Sequence, residues 1–325
     1  MAPRRPAAPG LGLALLSAAT FGTSGTFARS LIDAGWSADA AVAARVGIAA
    51  LLLAVPAAVA LNGRWAALRR SLGTVGLFGL LAVAGAQVGF FNAIRYLPVG
   101  VALLLEYSGV VLVVLWMWAR HGERPRRLTV AGAAVAVAGL ILVLDLAGGA
   151  AIDPVGVLWG MVAAVGLAAY FVLSARMDPQ LPSIALACGG MAFGAAVLVL
   201  LGVLGALPLE ATFGTVRFAG HTVSWIAPVA GLSLVAAVVA YVTGIAAARL
   251  LGAALSSFVG LTEVLFAVLI AWLVLGELPS VVQGIGGTLI IAGIALVRLD
   301  QLRAAPPAPA AEVSPMAEPV AAPHA

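Results

Sequence analysis

The sequence is dominated by ten long apolar segments, each close to the length that a helix needs to cross a lipid bilayer. A helical span needs about 20 mostly apolar residues, because the hydrocarbon core is roughly 30 Å thick. A soluble domain carries about a quarter charged residues, whereas this chain is 63% hydrophobic and 9% charged. We therefore predict an all-α integral membrane protein with ten transmembrane helices, near residues 10–31, 38–61, 72–92, 98–119, 128–146, 153–175, 182–206, 225–247, 252–274 and 280–299.

The basic residues indicate how these helices are oriented. All 17 are arginines, and with the N-terminus inside, thirteen lie in cytoplasmic connections whereas Arg29, Arg95 and Arg217 lie outside. Because cytoplasmic loops carry an excess of positive charge, this distribution predicts a multi-pass protein of the plasma or inner membrane with both termini in the cytoplasm. The net charge of +4 would suit nucleic acid, but arginines between apolar spans form no solvated basic face. We expect contact with the lipid bilayer and not with nucleic acid.

The two ends of the chain differ in composition from the spans. Residues 1–9 are predicted to form a cytoplasmic N-terminus. Their Arg4 and Arg5 before an apolar run are also typical of a signal peptide, but the run continues to Phe27, which favours an uncleaved first helix. Residues 301–325 are rich in Ala and Pro, which predicts a disordered cytoplasmic tail.

An internal repeat organises the spans. A shift of 154 residues aligns Arg95 with Arg249, Gly122-Glu123 with Gly276-Glu277, Pro125 with Pro279, Gly132 with Gly286 and Gly139 with Gly293. Each half, 10–146 and 153–300, contains five predicted spans, and because five is odd the second half must enter the membrane from the opposite side. Such inverted repeats are typical of secondary transporters, whose substrate sites lie near the membrane midplane where the repeats meet.

Three charged side chains lie inside predicted spans: Arg45 in the second, Glu106 in the fourth and Glu263 in the ninth. Because a charge at a helix centre costs at least about 2.5–3.5 kcal/mol, each needs a partner or a function. At 1.5 Å per residue the glutamates lie ~12 Å and ~16 Å into their spans. A carboxyl group there can bind a proton or a substrate ammonium group as its access to water changes. Arg45 can either bind a substrate carboxylate or pair with Glu106.

Aromatic residues with a polar group are candidates for the walls of a substrate cavity, since such rings suit amphipathic ligands. The candidates are Tyr107, Tyr170, Tyr241 and Trp159.

Small and amide residues add further candidates. Gln87 and Asn92 can hydrogen-bond either a substrate or a neighbouring helix. Gly22 and Gly25 allow close helix packing, which we favour, or face a substrate.

Metal and cofactor chemistry are not predicted. His121, His221 and His324 have no partner at metal-ligand spacing, and Cys188 is the only cysteine, so it is expected to be a packing residue. The chain contains no lysine and therefore has no Gly-x-x-x-x-Gly-Lys-Ser/Thr phosphate loop. We expect no metal, no cofactor and no enzymatic activity.

Several of these residues resemble a known family. Phe21-Gly-Thr-Ser, Arg45 and the twice-used Gly-Glu-x-Pro, within ten spans, are similar to the EamA-type branch of the drug/metabolite transporter superfamily over about residues 10–300. The stretch from Tyr96 to Val110 resembles the threonine/homoserine exporter subgroup. That subgroup has proline where this chain has Val110 and Val264, and the two replacements are expected to remove helix kinks.

The resemblance implies export of amino acids or related small metabolites, often by proton exchange. Our first hypothesis is a proton-coupled secondary active transporter with threonine- or homoserine-like cargo, in which Glu106 and Glu263 bind a proton or a cationic group. An exporter of hydrophobic or cationic drugs is the alternative within transport. A membrane-embedded enzyme or a sensor is a remote alternative. The sequence leaves the oligomeric state open, a homodimer included.

Overall fold

The computed structural model of the protein describes residues 7–97, 99–122, 125–144, 153–276 and 278–304, and these residues form fifteen α-helices, two π-helical segments and one β-hairpin. The helices are α1 (Ala7–Gly22), α2 (Ser24–Ile32), α3 (Ala38–Leu61), α4 (Trp65–Phe78), α5 (Ala86–Ala93), α6 (Val99–Tyr107), α7 (Gly109–His121), α8 (Arg127–Val143), α9 (Pro154–Ala175), α10 (Ser183–Val203), α11 (Ile226–Ser233), α12 (Ala240–Leu251), α13 (Ala253–Gly260), α14 (Thr262–Leu275) and α15 (Val281–Ala304).

Consecutive helices combine into segments that can cross a membrane. Within the described residues nine segments are long and apolar enough, namely Ala8–Ile32, Ala38–Leu61, Trp65–Ala93, Val99–Arg120, Pro154–Ala175, Ser183–Val203, Ile226–Leu251, Ala253–Val274 and Val281–Asp300. The predicted span near 128–146 corresponds to α8, which is apolar but has 17 residues, and residues 145–152 lie outside the described part. The protein is a multi-pass membrane protein with nine such segments in its described part, where the sequence predicted ten.

Helix α15 ends later than predicted. It continues to Ala304, so residues 301–304, which were assigned to a disordered tail, are helical. The run Arg298-Leu-Asp-Gln-Leu-Arg-Ala consists mostly of good helix formers, which explains the extension. Residues 305–325 lie outside the described part, as do Glu123 and Glu277 of the two Gly-Glu-x-Pro motifs.

Local sequence explains where several helices begin and end. The side chain of Ser37 caps α3 by accepting a hydrogen bond from the Ala40 amide at 3.1 Å. Asp153 caps α9, whose first residue is a proline, a position at which proline needs no amide partner. Gly122 and Gly276, with φ angles of 67° and 75°, end α7 and α14, because glycine adopts this left-handed conformation without steric penalty.

Two spans contain π-helical segments at corresponding places. These are Gly79–Gly85, between α4 and α5, and Leu234–Val239, between α11 and α12. The shift of 154 residues moves the first segment onto residues 233–239. A π-helical turn holds more residues than an α-helical turn and is frequent at functional sites. The residues that directly follow, at the start of α5 and α12, are therefore rotated relative to an uninterrupted α-helix.

Two other spans are broken near their middle, α6 from α7 at Ser108 and α13 from α14 at Leu261. The Ser108 hydroxyl donates to the Leu105 carbonyl oxygen at 2.5 Å, and the Thr262 hydroxyl donates to the Val259 carbonyl oxygen at 2.7 Å. Such bonds compete with the backbone pattern of a helix.

These breaks correct one expectation from the sequence. Val110 and Val264 were expected to remove the kinks for which the related subgroup has proline. The breaks are present without proline, and each coincides with a hydroxyl, of Ser108 or Thr262, that bonds back to the preceding helix.

The helices of the two halves interlock, with α8 on α15, α3 on α10, α1 on α12 and α5 on α9. Helices α8 and α15 touch through glycines in a reciprocal pattern. A methyl group at Gly132 would lie 2.7 Å from the Gly293 carbonyl oxygen, and one at Gly139 would lie 2.6 Å from that of Gly286. Under the 154-residue shift Gly132 corresponds to Gly286 and Gly139 to Gly293, so each contact is the counterpart of the other. Small residues allow helix backbones this close in a membrane.

A β-hairpin lies in the connection before α11 and was not predicted. Strands β1 (Thr215–Phe218) and β2 (His221–Ser224) pair antiparallel. The hairpin rests on α2, since the rings of Phe27 and Phe218 stack with centroids 5.2 Å apart. It therefore supports the helix that carries Arg29.

Candidate functional site

A cavity of about 600 Å³ lies between the helices of the two halves. At one end of the bundle, which we call the mouth end, its lining includes residues at or next to the ends of α2, α3, α5 and α6, namely Ile32, Ala38, Ile94 and Val99. In the other direction the lining stops at Ala14 and Ala247. The segment after α9 places the buried side chains of Met177 and Leu181 at this opposite end, which we call the closed end.

All six predicted binding residues line this one cavity. They come from five different spans and are Arg45, Glu106, Tyr107, Tyr170, Tyr241 and Glu263. Side chains separated by more than 200 positions along the sequence therefore share one chamber.

The two glutamates flank the two helix breaks. Glu106 is the last residue but one of α6, and Glu263 is the second residue of α14. The partial positive charge of a helix N-terminus favours an acidic side chain in its first turn, which is the position of Glu263. The two carboxyl groups lie close enough to repel each other, and the Tyr107 side chain lies beside Glu263.

Arg45 is a buried cation that is incompletely paired. Its side chain enters from α3 with 6% of its surface exposed, and its Nη1 donates to the Ser24 hydroxyl at 2.8 Å. Its Nε makes no hydrogen bond to any described residue. Arg45 lies within electrostatic range of Glu106 and Glu263 and beside Tyr241. Among the ion pairs of the described chain, however, none within 4.0 Å joins Arg45 to either glutamate.

An aromatic cluster forms one wall of the cavity. The ring centroids of Tyr170 and Tyr241 lie 5.5 Å apart in an edge-to-face arrangement, and Phe21 lies 5.1 Å from Tyr241. Gly244 lets the Tyr170 hydroxyl approach α12, because a methyl group at Gly244 would overlap this hydroxyl and lie 2.6 Å from Ser17 Oγ. Edge-to-face packing of this kind is a preferred arrangement of aromatic rings.

The structure assigns different places to the remaining candidates. Gln87 lines the cavity, whereas Asn92 and Trp159 are absent from its lining. The Asn92 amide instead donates to the Val88 carbonyl oxygen of its own helix at 2.8 Å. Trp159 lies where α9 packs closely on α5, since its carbonyl oxygen would be 2.9 Å from a methyl group at Gly89.

Both early glycines line the cavity, and they differ in how closely another helix packs on them. A methyl group at Gly22 would lie 2.9 Å from the Ala267 amide nitrogen of α14, so Gly22 is a close-packing residue. A methyl group at Gly25 would meet nothing within 4 Å, and Gly25 lines the cavity. Gly25 therefore leaves space that a substrate can use.

The chemistry available in this cavity is that of opposite charges in an apolar chamber. Two carboxyl groups and the buried guanidinium of Arg45 face the same space, with Ser24, Gln87 and Ser256 as polar neighbours, and Arg29 lines the cavity toward the mouth end. Most of the other lining residues are apolar, for example Phe90, Phe91 and Leu103. The carboxyl groups can hold a proton or an ammonium group, and the guanidinium can hold a carboxylate. No group of three or more metal-ligating side chains occurs in the described part of the chain.

Comparisons with known proteins identify a family and a fold that the chain resembles. Residues 8–145 and 154–299 match the EamA-like transporter family. A protein of Clostridium kluyveri described as an uncharacterized transporter is 25% identical over 227 residues, which are 68% of this chain and 70% of that protein. A protein of known crystal structure is similar with a TM-score of 0.74 at 21% identity, over 91% of this chain and 99% of the other. This last similarity shows a shared fold.

Proposed function

Since the chain belongs to the EamA-like transporter family, we propose that it is a secondary active transporter that exports amino acids or related small metabolites in exchange for protons. Membership of this family confirms the resemblance noted in the sequence, and transport as the general function follows from it. The cargo, the proton coupling and the direction of transport are the proposed parts.

One observation carries the proposal: the buried charges of both halves meet in one cavity. Glu106 comes from the first half, Glu263 from the second, and Arg45 shares the chamber with both. Buried ionisable groups in membrane proteins face cavities and mark the paths of ions or substrates. A role for Arg45 in packing alone would favour a close pair with one of the glutamates, and no such pair is found in the described residues.

We further propose that residues 10–146 and 153–300 are inverted repeats of five spans each. The matched π-helical segments, the matched helix breaks and the reciprocal glycine contacts of α8 and α15 all support this arrangement. Discontinuous helices near the midplane are typical binding elements of such transporters.

The arginines favour one orientation of this bundle. Arg29 and Arg95 lie toward the mouth end, whereas Arg70, Arg176 and Arg249 lie toward the closed end. Because positive charge accumulates on the cytoplasmic side, we propose that the mouth faces outward, with both termini in the cytoplasm of an inner or plasma membrane. The structure then corresponds to an outward-facing state.

The cycle uses competition between cargo and protons. Protons that enter from the mouth neutralise Glu106 and Glu263, which weakens their attraction for an ammonium group and releases it outward. The halves then rock so that the cavity faces the cytoplasm, where proton loss restores the carboxylates. A new cargo molecule binds with its ammonium group at the glutamates and its carboxylate at Arg45. Because the ammonium group is paired with the glutamates and the carboxylate with Arg45, neither charge of the cargo is left unpaired in an apolar chamber, which would be costly.

Proteoliposomes with an imposed pH gradient test the proposal. Purified protein is reconstituted, and flux of radiolabelled threonine, homoserine and other amino acids is followed with and without the gradient. We expect gradient-driven flux in the wild type and its loss in Glu106→Gln and Glu263→Gln, which keep side-chain size and remove the titratable proton. Unchanged gradient-driven flux in both variants would show that the proton role is wrong.

Export of hydrophobic or cationic drugs is a second candidate, favoured by the aromatic wall of Phe21, Tyr170 and Tyr241 around two acidic groups. Such cargo needs the acidic groups but not Arg45. Cells that overproduce the protein are compared for resistance to amino-acid analogues and to cationic dyes. Resistance to dyes alone, retained in Arg45→Ala, would favour the drug exporter over the amino-acid exporter.

A further inference from the structure

Two arginines that match under the 154-residue shift are in different states in this structure. Arg249 lies in the last turn of α12 at the closed end, and Arg95 follows α5 at the mouth end. Each stands at the end of the span that contains a π-helical segment. The bonds of Arg249 and Arg95 can therefore be compared between the closed end and the mouth end.

Arg249 is hydrogen-bonded to the connection between α9 and α10, residues 176–182. Its Nη1 donates to the Leu181 carbonyl oxygen at 2.6 Å, and its Nη2 donates to the carbonyl oxygens of Asp178 at 3.3 Å and Pro179 at 3.2 Å. The planar guanidinium thus ties the end of α12 to the turn that follows the first span of the second half.

Other contacts hold the same connection against the bundle. Arg70, in α4, lies 3.7 Å from the Asp178 carboxylate and donates to the Gln180 side chain at 2.9 Å. Leu181 is fully buried. The connection therefore seals the closed end, and Arg249 is the residue that joins it to α12.

Arg95 occupies the corresponding place at the mouth end without the corresponding bonds. Its side chain is exposed and makes no hydrogen bond to any described residue, and it lies within electrostatic range of Asp39 at the start of α3. The connection that follows the first span of the first half, residues 33–37, is bound instead by a loop of the second half. The Thr212 hydroxyl donates to the Ala34 carbonyl oxygen at 2.6 Å, and the Ser37 amide donates to the Glu210 carbonyl oxygen at 2.9 Å.

We propose that Arg249 and Arg95 are alternating latches, which close opposite ends of the cavity in the two states of the transporter. In this structure Arg249 is latched and the mouth is open. When the mouth closes, α5 approaches residues 33–37 and the Arg95 guanidinium donates to their carbonyl oxygens, while Arg249 releases residues 176–182. This inference rests on the proposed alternating-access function and names two residues that position the helices without lining the substrate site at its charged centre.

The two latches predict changes of opposite sign. A charge-assisted hydrogen bond shifts an equilibrium by about tenfold or more. Loss of the Arg249 bonds lowers the stability of the mouth-open state alone, whereas loss of Arg95 lowers that of the mouth-closed state alone. A residue with a merely structural role would not act in opposite directions in the two halves.

The test is the rate at which a maleimide labels Met177→Cys in a Cys188→Ala background, in detergent and without substrate. Met177 is a buried residue of the connection that Arg249 holds, so labelling requires this connection to move away from the closed end. We expect Arg249→Ala to raise the rate by about tenfold or more and Arg95→Ala to lower it by a similar factor. Arg64→Ala is the matched control, because Arg64 lies between α3 and α4 and its side chain donates to Leu61 and Ala60 at the adjacent end of α3, and we expect no change.

The double variant Arg95→Ala, Arg249→Ala distinguishes a shift between the two states from local unfolding of the connection. If the latches oppose each other, Arg95→Ala added to Arg249→Ala returns the rate toward that of the wild type. A rate that stays high in the double variant, or an Arg95→Ala rate equal to or above that of the wild type, would overturn the latch proposal. Since the assay uses neither cargo nor a pH gradient, either result leaves the transport proposal standing. Absence of flux in proteoliposomes would in turn leave the labelling result unaffected.

Discussion

The glycine contacts between α8 and α15 offer a quantitative test of how the two halves are joined. We consider Gly139→Ala and Gly286→Ala, which place a methyl group on each side of the same contact. Each methyl carbon would lie 2.6 Å from a carbonyl oxygen of the other helix, where 3.4 Å is the lower limit of ordinary contact. A carbonyl oxygen of a helix cannot rotate away, so the helices must separate by about 0.8 Å.

The expected loss follows from this overlap. Overpacking of a well-packed interface costs about 1–3 kcal/mol. Gly132→Ala and Gly293→Ala are expected to lose a similar amount, because their methyl groups would lie 2.7 Å and 2.6 Å from opposing carbonyl oxygens. Because the four overlaps are nearly equal, we expect the four variants to lose similar amounts of stability.

The assay is thermal unfolding of purified protein in detergent, read from the fraction that stays monodisperse after heating. Gly284→Ala is the control, since Gly284 lies in α15 together with Gly286, and a methyl group there meets nothing within 4 Å. Replacing an exposed helical glycine by alanine stabilises by about 0.5–1 kcal/mol, so the control should melt at or above the wild-type temperature. If Gly139→Ala proved as stable as Gly284→Ala, the close approach of α8 and α15 would be refuted.

Three further predictions concern the cavity. Arg45→Lys keeps the charge and loses the planar guanidinium, so we expect the KM for a carboxylate-bearing cargo to rise about tenfold or more in liposome flux. An unchanged KM would show that Arg45 does not bind the cargo. Gly25→Val fills open space in the lining, so flux should fall while the melting temperature stays near that of the wild type, and normal flux would show that cargo does not reach Gly25. Cys188→Ala removes only a weak contact of the sulfur to the Ala50 carbonyl oxygen at 3.6 Å, so folding and flux should both match the wild type, and a loss of either would reveal a role for the thiol.

The length of the apolar segments predicted the nine spans found in the described residues, because this length has a direct physical cause in the thickness of the bilayer. The breaks and the π-helical segments were not predictable in this way. Each break coincides with a side-chain hydroxyl that bonds to a carbonyl oxygen of the preceding helix, as in Ser108 and Thr262, and serine or threonine in an apolar helix often makes such a bond without breaking it. The hairpin was missed because two four-residue strands in a polar connection carry little pattern.

The charged residues of the cavity were easier to predict than the helix breaks around them. Arg45, Glu106 and Glu263 stood out because a charge within a span requires a reason, and the structure places all three in one cavity. The partner of Arg45 could not be predicted, since Ser24 is an ordinary small residue whose role depends on how α2 approaches α3. Trp159 and Asn92 resembled the true lining residues in type, and only the rotation of their helices removes them from it.

The most direct test of the central claim is proton release upon cargo binding to the purified protein in weakly buffered detergent solution. The amino acid that gives the highest liposome flux is added at a pH at which the wild type transports, and the pH change is recorded. Competition for Glu106 and Glu263 predicts that the wild type releases protons on binding and that the double variant Glu106→Gln, Glu263→Gln releases none. An equal release from the double variant would contradict the account, because the exchanged protons would then reside elsewhere.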